Sequence, residues 1–152
     1  MIRLRDVMKE RVESVSPGDS AQTAWERMRA SRIRHLVVLD GKEVVGVLSD
    51  RDLIGRGPLR REEKVGDVMT SPGIAGHPEM TLRQVANQMR GRSVGCLPVI
   101  EEGKLVGILT TTDVLELVGR GVQRPVAKAA RRILNGRGPR RRPRSEPKRI
   151  LV

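Results

Sequence analysis

The sequence predicts an α+β fold made of two pseudo-symmetric βαββα repeats packed as one module. Three observations lead there. An offset of 61 residues superposes the chain on itself without a gap, and each copy passes from helical to strand-like apolar spacing in the same order. The net charge of +12 sits almost wholly in residues 120–152, outside the repeat. The offset pairs Asp6-Val7-Met8 with Asp67-Val68-Met69, Pro17 with Pro78, Met28-Arg29 with Met89-Arg90 and Leu36 with Leu97. It also pairs Val38 with Val99, Val45-Gly46 with Val106-Gly107, Leu48 with Leu109 and Asp52 with Asp113. The copies occupy residues 1–61 and 62–119, and an Arg-rich extension follows over 120–152.

Each copy opens on a short Val-Met segment and a brief strand, Val12 to Val15 or Gly73 to Gly76, turned by Pro17 or Pro78. A helix comes next. Asp19 or Ser20 caps the first one, in which Ala21, Ala24, Trp25 and Met28 fall at helical spacing; Thr81 caps the second, with Leu82, Val85, Ala86 and Met89 as its stripe. Two strands then read as a hairpin, His35 to Leu39 and Glu43 to Leu48, joined through Asp40-Gly41-Lys42. In the second copy the glycine, Gly103, stands one place later, so a different turn is expected. A last helix starts near Ser49 or Thr110 and stops at Gly55 or Gly119. A unit this small has little interior, so the two copies are expected to share a core and leave a groove between them.

Composition narrows the chemistry. With no Phe, no Tyr and one Trp the core must be aliphatic, which excludes aromatic cages and base-stacking platforms. One cysteine, Cys96, rules out an intrachain disulfide, and with His35 and His77 it cannot assemble a Cys/His zinc site. No apolar run approaches the ~18 residues of a membrane span, so the expectation is a cytoplasmic, reducing setting without a secretion signal or anchor. Residues 120–152 hold 12 Lys+Arg against the one acid Glu146, leaving the body at a net +1. Within this extension, 125–135 reads as a short helix opened by Pro125 and stopped by Asn135-Gly136, and the Arg/Pro/Gly-rich remainder reads as disordered when free. Its arginines suit phosphate oxygens of nucleic acid or an acidic surface; a solvated tail is the alternative.

The most informative stretches are Gly46-Val47-Leu48-Ser49-Asp50-Arg51-Asp52-Leu53 and Gly107-Ile108-Leu109-Thr110-Thr111-Thr112-Asp113-Val114. A hydroxyl followed three residues later by a carboxylate at a helix start supports two readings. One is a capping box, with hydroxyl and acid bonding each other's backbone amides. The other is a ligand site, with amides and hydroxyl for phosphate and the two carboxylate oxygens for neighbouring ribose hydroxyls. Arg51 either faces that groove, where it suits a polyphosphate, or is a solvated helix arginine; Thr112 replaces it in the second copy, making the two sites unequal. His35 and Cys96 occupy equivalent places, and Cys96 reads as a small buried apolar residue. No catalytic triad, phosphate loop or metal-binding helix can be placed, so no catalysis is expected.

The repeats resemble a pair of cystathionine-β-synthase-type (CBS) domains. The resemblance is carried by Asp6-Val7-Met8, Asp67-Val68-Met69-Thr70, Arg34-His35-Leu36-Val37-Val38, Cys96-Leu97-Pro98-Val99 and the two Gly-x-x-(Ser/Thr)-x-x-Asp stretches, over residues 2–119. It implies a regulatory module, assembled as a homodimer, that needs no cofactor and binds AMP, ADP, ATP or S-adenosylmethionine. It further implies Asp52 and Asp113 for ribose, Ser49 and Thr110 for phosphate, and Ile33, Val94, Val15 and the surroundings of His35 and Cys96 as walls for adenine. The alternative is a dimeric scaffold or nucleic-acid-associated protein that binds through its Arg-rich extension.

Overall fold

The computed structural model describes residues 1–54, 57–60, 62–71 and 74–121. The expected helix stop at Gly55, strand start at Gly73 and helix over 125–135 lie outside the described residues. In chain order the elements are α1 (Leu4–Val7), β1 (Ser14–Val15), α2 (Ala21–Ser31), β2 (His35–Asp40), β3 (Glu43–Ser49), α3 (Asp50–Ile54), α4 (Val65–Val68), α5 (Leu82–Arg92), β4 (Cys96–Glu101), β5 (Lys104–Thr110) and α6 (Thr111–Gly119).

The helices begin and end as their sequences dictate. Ser20 Oγ accepts from the Thr23 amide and Thr81 Oγ1 from the Gln84 amide, capping α2 and α5. Both helices end on a left-handed residue at equivalent positions, Arg32 (φ 55°) and Ser93 (φ 53°). The next amides, of Ile33 and Val94, reach back to the carbonyls of Met28 and Met89, while their side chains fold onto the core. Gly119 proves to be the last residue of α6; the left-handed position that glycine favours falls at Gly121 (φ 65°).

The hairpins β2–β3 and β4–β5 share a register, with Leu36 opposite Leu48 and Leu97 opposite Leu109, and two-residue loops. The loops do differ. Gly41 alone has positive φ (62°) in the first, giving a type II′ turn, whereas Glu102 and Gly103 both do (50° and 73°) in the second, a type I′ turn. Each hairpin is buried on both faces, which explains its unbroken apolar run. Leu36, Val38 and Leu48 pack on their own helices, while Val37 and Val47 meet Cys96 and Ile108 of the other hairpin.

The opening segment of each repeat is spent on the other repeat. Ile2, Leu4, Val7 and Met8 belong to the core of Val85, Met89, Leu97, Val99, Leu109 and Leu117, and Val65 and Val68 to that of Val15, Met28, Leu36 and Leu48. Where only a Val-Met segment was expected, one helical turn forms, closed by Asp6 Oδ2 on the Arg3 amide and by Asp67 Oδ2 on the Lys64 amide. The turns dock by backbone bonds that also explain the repeated prolines: the Arg5 amide donates to the Pro78 carbonyl at 3.0 Å and the Gly66 amide to that of Pro17 at 2.9 Å. After each turn the chain pairs with the other repeat's hairpin, Lys9 with Ile108 and Thr70 with Val47. This crossing shortens the first strands. β1 spans two residues, not four, and its counterpart is reduced to a single bridge from Gly76 to Val99.

Packing accounts for two repeated glycines. A Cβ on Gly46 would lie 2.6 Å from Met69 Sδ and 3.1 Å from the Thr70 carbonyl; on Gly107 it would lie 2.6 Å from Met8 Sδ and 3.0 Å from the Lys9 carbonyl. The methionine can move, but the carbonyls are held in the crossing bridges. Gly46→Ala and Gly107→Ala are each expected to lower stability by about 1–3 kcal/mol in urea denaturation. Gly18→Ala, with nothing within 4 Å of its Cβ, should stay within about 0.5 kcal/mol of the parent.

Candidate functional site

The two hydroxyl-x-x-acid stretches fold as reciprocal capping boxes. The Ser49 amide donates to Asp52 Oδ2 at 2.8 Å, and the Asp52 amide to Ser49 Oγ at 3.2 Å. In the second copy the Thr110 amide and hydroxyl both donate to Asp113 Oδ2, at 2.8 and 2.7 Å, and the Asp113 amide returns to Thr110 Oγ1 at 3.2 Å. The first amide of each last helix is also engaged: Asp50 bonds the Arg34 carbonyl and Thr111 that of Gly95, both at 3.0 Å. The first of the two readings is therefore realised, and two of the amides on which phosphate would draw are used within the fold.

The second carboxylate oxygen points elsewhere, to the crossing segment of the other repeat. Thr70 Oγ1 donates to Asp52 Oδ1 at 3.1 Å, and Lys9 Nζ stands 2.7 Å from Asp113 Oδ1. Lys9 and Thr70 are equivalents at the 61-residue offset, so the two motifs have the same geometry with chemically different partners. Asp113 is 6% exposed and is the one buried charged residue among the described residues; Asp52 is half-buried. Lys9, which stands against Asp113, is not marked as a candidate by its residue type or spacing. The signal available was its alignment with Thr70, which is uninformative until the crossing is known.

The remaining candidates divide. The strand register sets His35 opposite Ser49 and Cys96 opposite Thr110, which draws both motifs toward the contact between the hairpins. His35 Nε2 lies 3.6 Å from where a Cβ on Gly95 would stand. Arg51 and Thr112 are exposed. Ile33 and Val94 are partly buried on their own cores, and Val15 is buried in the first. Burial lowers the pKa of His35; Asp50, Asp52 and Asp113 oppose this, and Arg34 adds to it. Burial, reinforced by Asp113, pushes the Cys96 thiol up to about 12, so it stays protonated and unreactive.

This is a tandem repeat with crossed opening segments, paired hairpins and a hydroxyl-x-x-acid cap on each last helix. The family model described as CBS domain matches it twice, over residues 4–57 and 65–120. The chain belongs to the CBS domain family. It is 28% identical over 116 residues to the CBS domain-containing protein YhcV of Bacillus subtilis (strain 168), covering 74% of this chain and 83% of that one. It is 35% identical over 114 residues to inosine-5'-monophosphate dehydrogenase of Korarchaeum cryptofilum (strain OPF8), covering 73% of this chain but 22% of the dehydrogenase. The CBS domain pair of protein MJ0100, solved with 5-methylthioadenosine and S-adenosyl-L-methionine, shares the fold at a TM-score of 0.72 and 20% identity, over 80% of this chain and 99% of that one. CBSX2, solved in complex with AMP, aligns at a TM-score of 0.67 and 28% identity, over 79% and 98%. Among the described residues no helix is long and apolar enough to cross a membrane, and no cluster of three or more metal-ligating side chains forms.

The lowered pKa of His35 fixes the sign of a pH effect. Unfolded, the imidazole titrates near 6.5; folded, it titrates lower, so below pH 6.5 the unfolded chain binds more protons. Its contribution is complete above pH 6.5 and is lost as pH falls through the folded value. The urea midpoint of the parent should therefore decline from pH 6.5 downward, before the carboxylates titrate. In His35→Gln that portion should flatten; an unchanged pH profile would count against this assignment.

Proposed function

We propose that this CBS pair is a regulatory module that binds an adenosine nucleotide at its two caps, with no catalysis of its own. The observation that carries the reading is the division of labour within each aspartate. Oδ2 closes the helix, while Oδ1 is held by a side chain, Thr70 or Lys9, that can swing aside for a ribose hydroxyl. AMP is the ligand we favour, since CBSX2, at 28% identity, was solved with it. Ser49 and Thr110 then lie beside the phosphate, and Ile33, Val94 and the surroundings of His35 and Cys96 flank the base, while Arg51, exposed on its helix, is left to solvent.

The partner we assign is a second copy. Ile54 and Leu115 are equivalent at the 61-residue offset and are 65% and 66% exposed, and Val118, one turn on from Leu115, is 70% exposed. Apolar side chains repeated on both last helices suit a symmetric, self-complementary contact. The second reading, a nucleic-acid-associated scaffold, draws on the 12 Lys+Arg of residues 120–152. It calls for salt-sensitive binding to DNA or RNA of arbitrary sequence that is lost when residues 137–152 are removed.

Isothermal titration with AMP, ADP, ATP and S-adenosylmethionine tests the first reading. At saturation the best ligand should raise the melting temperature, since a hundredfold excess over Kd adds about 2.7 kcal/mol. Asp52→Ala and Asp113→Ala should each weaken binding at their own cap by about ten- to a hundredfold, the loss of one or two hydrogen bonds to a charged group. The two losses should be unequal. Full-strength binding in both variants would refute the assignment.

A further inference from the structure

The two caps differ in one chemical respect that bears on what they can accept. In the first, Asp52 Oδ1 is held by the neutral hydroxyl of Thr70, itself fixed by a backbone bridge in which Thr70 and Val47 exchange bonds of 2.8 and 2.9 Å. In the second, the same bridge, Lys9 with Ile108 at 2.9 Å each way, carries an ammonium group 2.7 Å from Asp113 Oδ1. The lysine side chain is 38% exposed and the aspartate 8%. A ribose hydroxyl that replaces Thr70 at Asp52 exchanges one neutral donor for another. One that replaces Lys9 at Asp113 exchanges a cation for a neutral donor and separates a half-buried ammonium from its counter-charge, which is costly unless another anion is within reach. The phosphate of a nucleotide is such an anion, and it arrives with the ribose.

We propose that Lys9 makes the second cap selective for phosphorylated adenosine ligands over uncharged ones, while the first cap, with Thr70, accepts both more evenly. This rests on the nucleotide reading above and adds the specificity of one of its sites. On this view Lys9 moves from Asp113 to the ligand's phosphate when the ribose takes Asp113 Oδ1. The pair is then both a latch on the empty site and a sensor of ligand charge. Charge attraction of this kind weakens with added salt.

The test uses the full chain carrying Asp52→Ala, so that the first cap is weakened and the second dominates, titrated with AMP and with adenosine and followed through the Ile108 methyl resonance beside the Lys9 bridge. The expected result is an AMP preference of about tenfold or more, the size of one charge-assisted contact, which shrinks with salt. Lys9→Thr in this background should abolish most of the preference, with tighter adenosine binding and weaker AMP binding. The reciprocal variant, Thr70→Lys with Asp113→Ala, should create the preference at the first cap, and it keeps the test open should Lys9→Thr fold poorly. Equal affinities for AMP and adenosine at the second cap, or a preference that Lys9→Thr leaves unchanged, would overturn the proposal while leaving nucleotide binding intact. Binding of neither ligand to the parent chain or any variant would overturn the nucleotide reading itself, and this inference with it.

Discussion

The exchange of opening segments holds this molecule together. Leu4, Val7 and Met8 are built into the core of the second repeat, and Val65 and Val68 into that of the first. Burying side chains of this size is worth about 1.5–3 kcal/mol each against leaving them in water, a large fraction of the stability of a small domain. Neither repeat therefore owns a complete interior, and the pair is the folding unit. The exchange also fixes the caps, because the residue after each crossing methionine is the one that reaches the aspartate of the other repeat. Stability and site geometry thus depend on the same two strands of crossing backbone.

Much of this was legible because a duplication is written twice. The uninterrupted 61-residue offset supplied the architecture, the helical stripes supplied α2 and α5, and the displaced glycine of the second hairpin announced a different turn. Compensation across the exchange was not legible. The first core holds both Val15 and Val65, whereas their equivalents in the second are Gly76 and Leu4, whose Cδ2 would lie 2.6 Å from any Cβ on Gly76. At equivalent positions the first core has two valines and the second a leucine against a glycine. Residues 15 and 65 are far apart in sequence, so nothing local reveals that one answers the other. For the same reason the first strands were read as too long, since the chain ahead of them was already committed to the opposite hairpin.

At the caps the sequence was ambiguous in principle, because Ser-x-x-Asp is equally good grammar for closing a helix and for holding a sugar. The geometry explains why both readings arose. One oxygen of each carboxylate serves the helix and the other serves a long-range contact. Residue spacing encodes the first oxygen's partner, three residues away. It cannot encode the second's, which is Thr70, 18 residues on from Asp52, in one copy and Lys9, over a hundred residues before Asp113, in the other. Arg51 and Thr112 differ visibly in sequence but stand exposed, whereas Lys9 and Thr70 differ inconspicuously and touch the carboxylates.

That placement constrains any regulatory role. A ligand shifts a conformational equilibrium only to the extent that it binds the alternatives unequally. Lys9 and Thr70 do not hang from a loose loop; their backbones are bridged to Ile108 and Val47, and the methionines just before them pack over Gly107 and Gly46. A group that takes Oδ1 of either aspartate therefore releases a side chain anchored in the segment that joins the two cores. The carboxylate itself need not move, since Oδ2 keeps the helix closed. The group that moves is the Lys9 or Thr70 side chain, and the segment that carries it is packed against both repeats at once. On the proposed reading, a ligand at one cap would thus act first on the segment shared between the repeats.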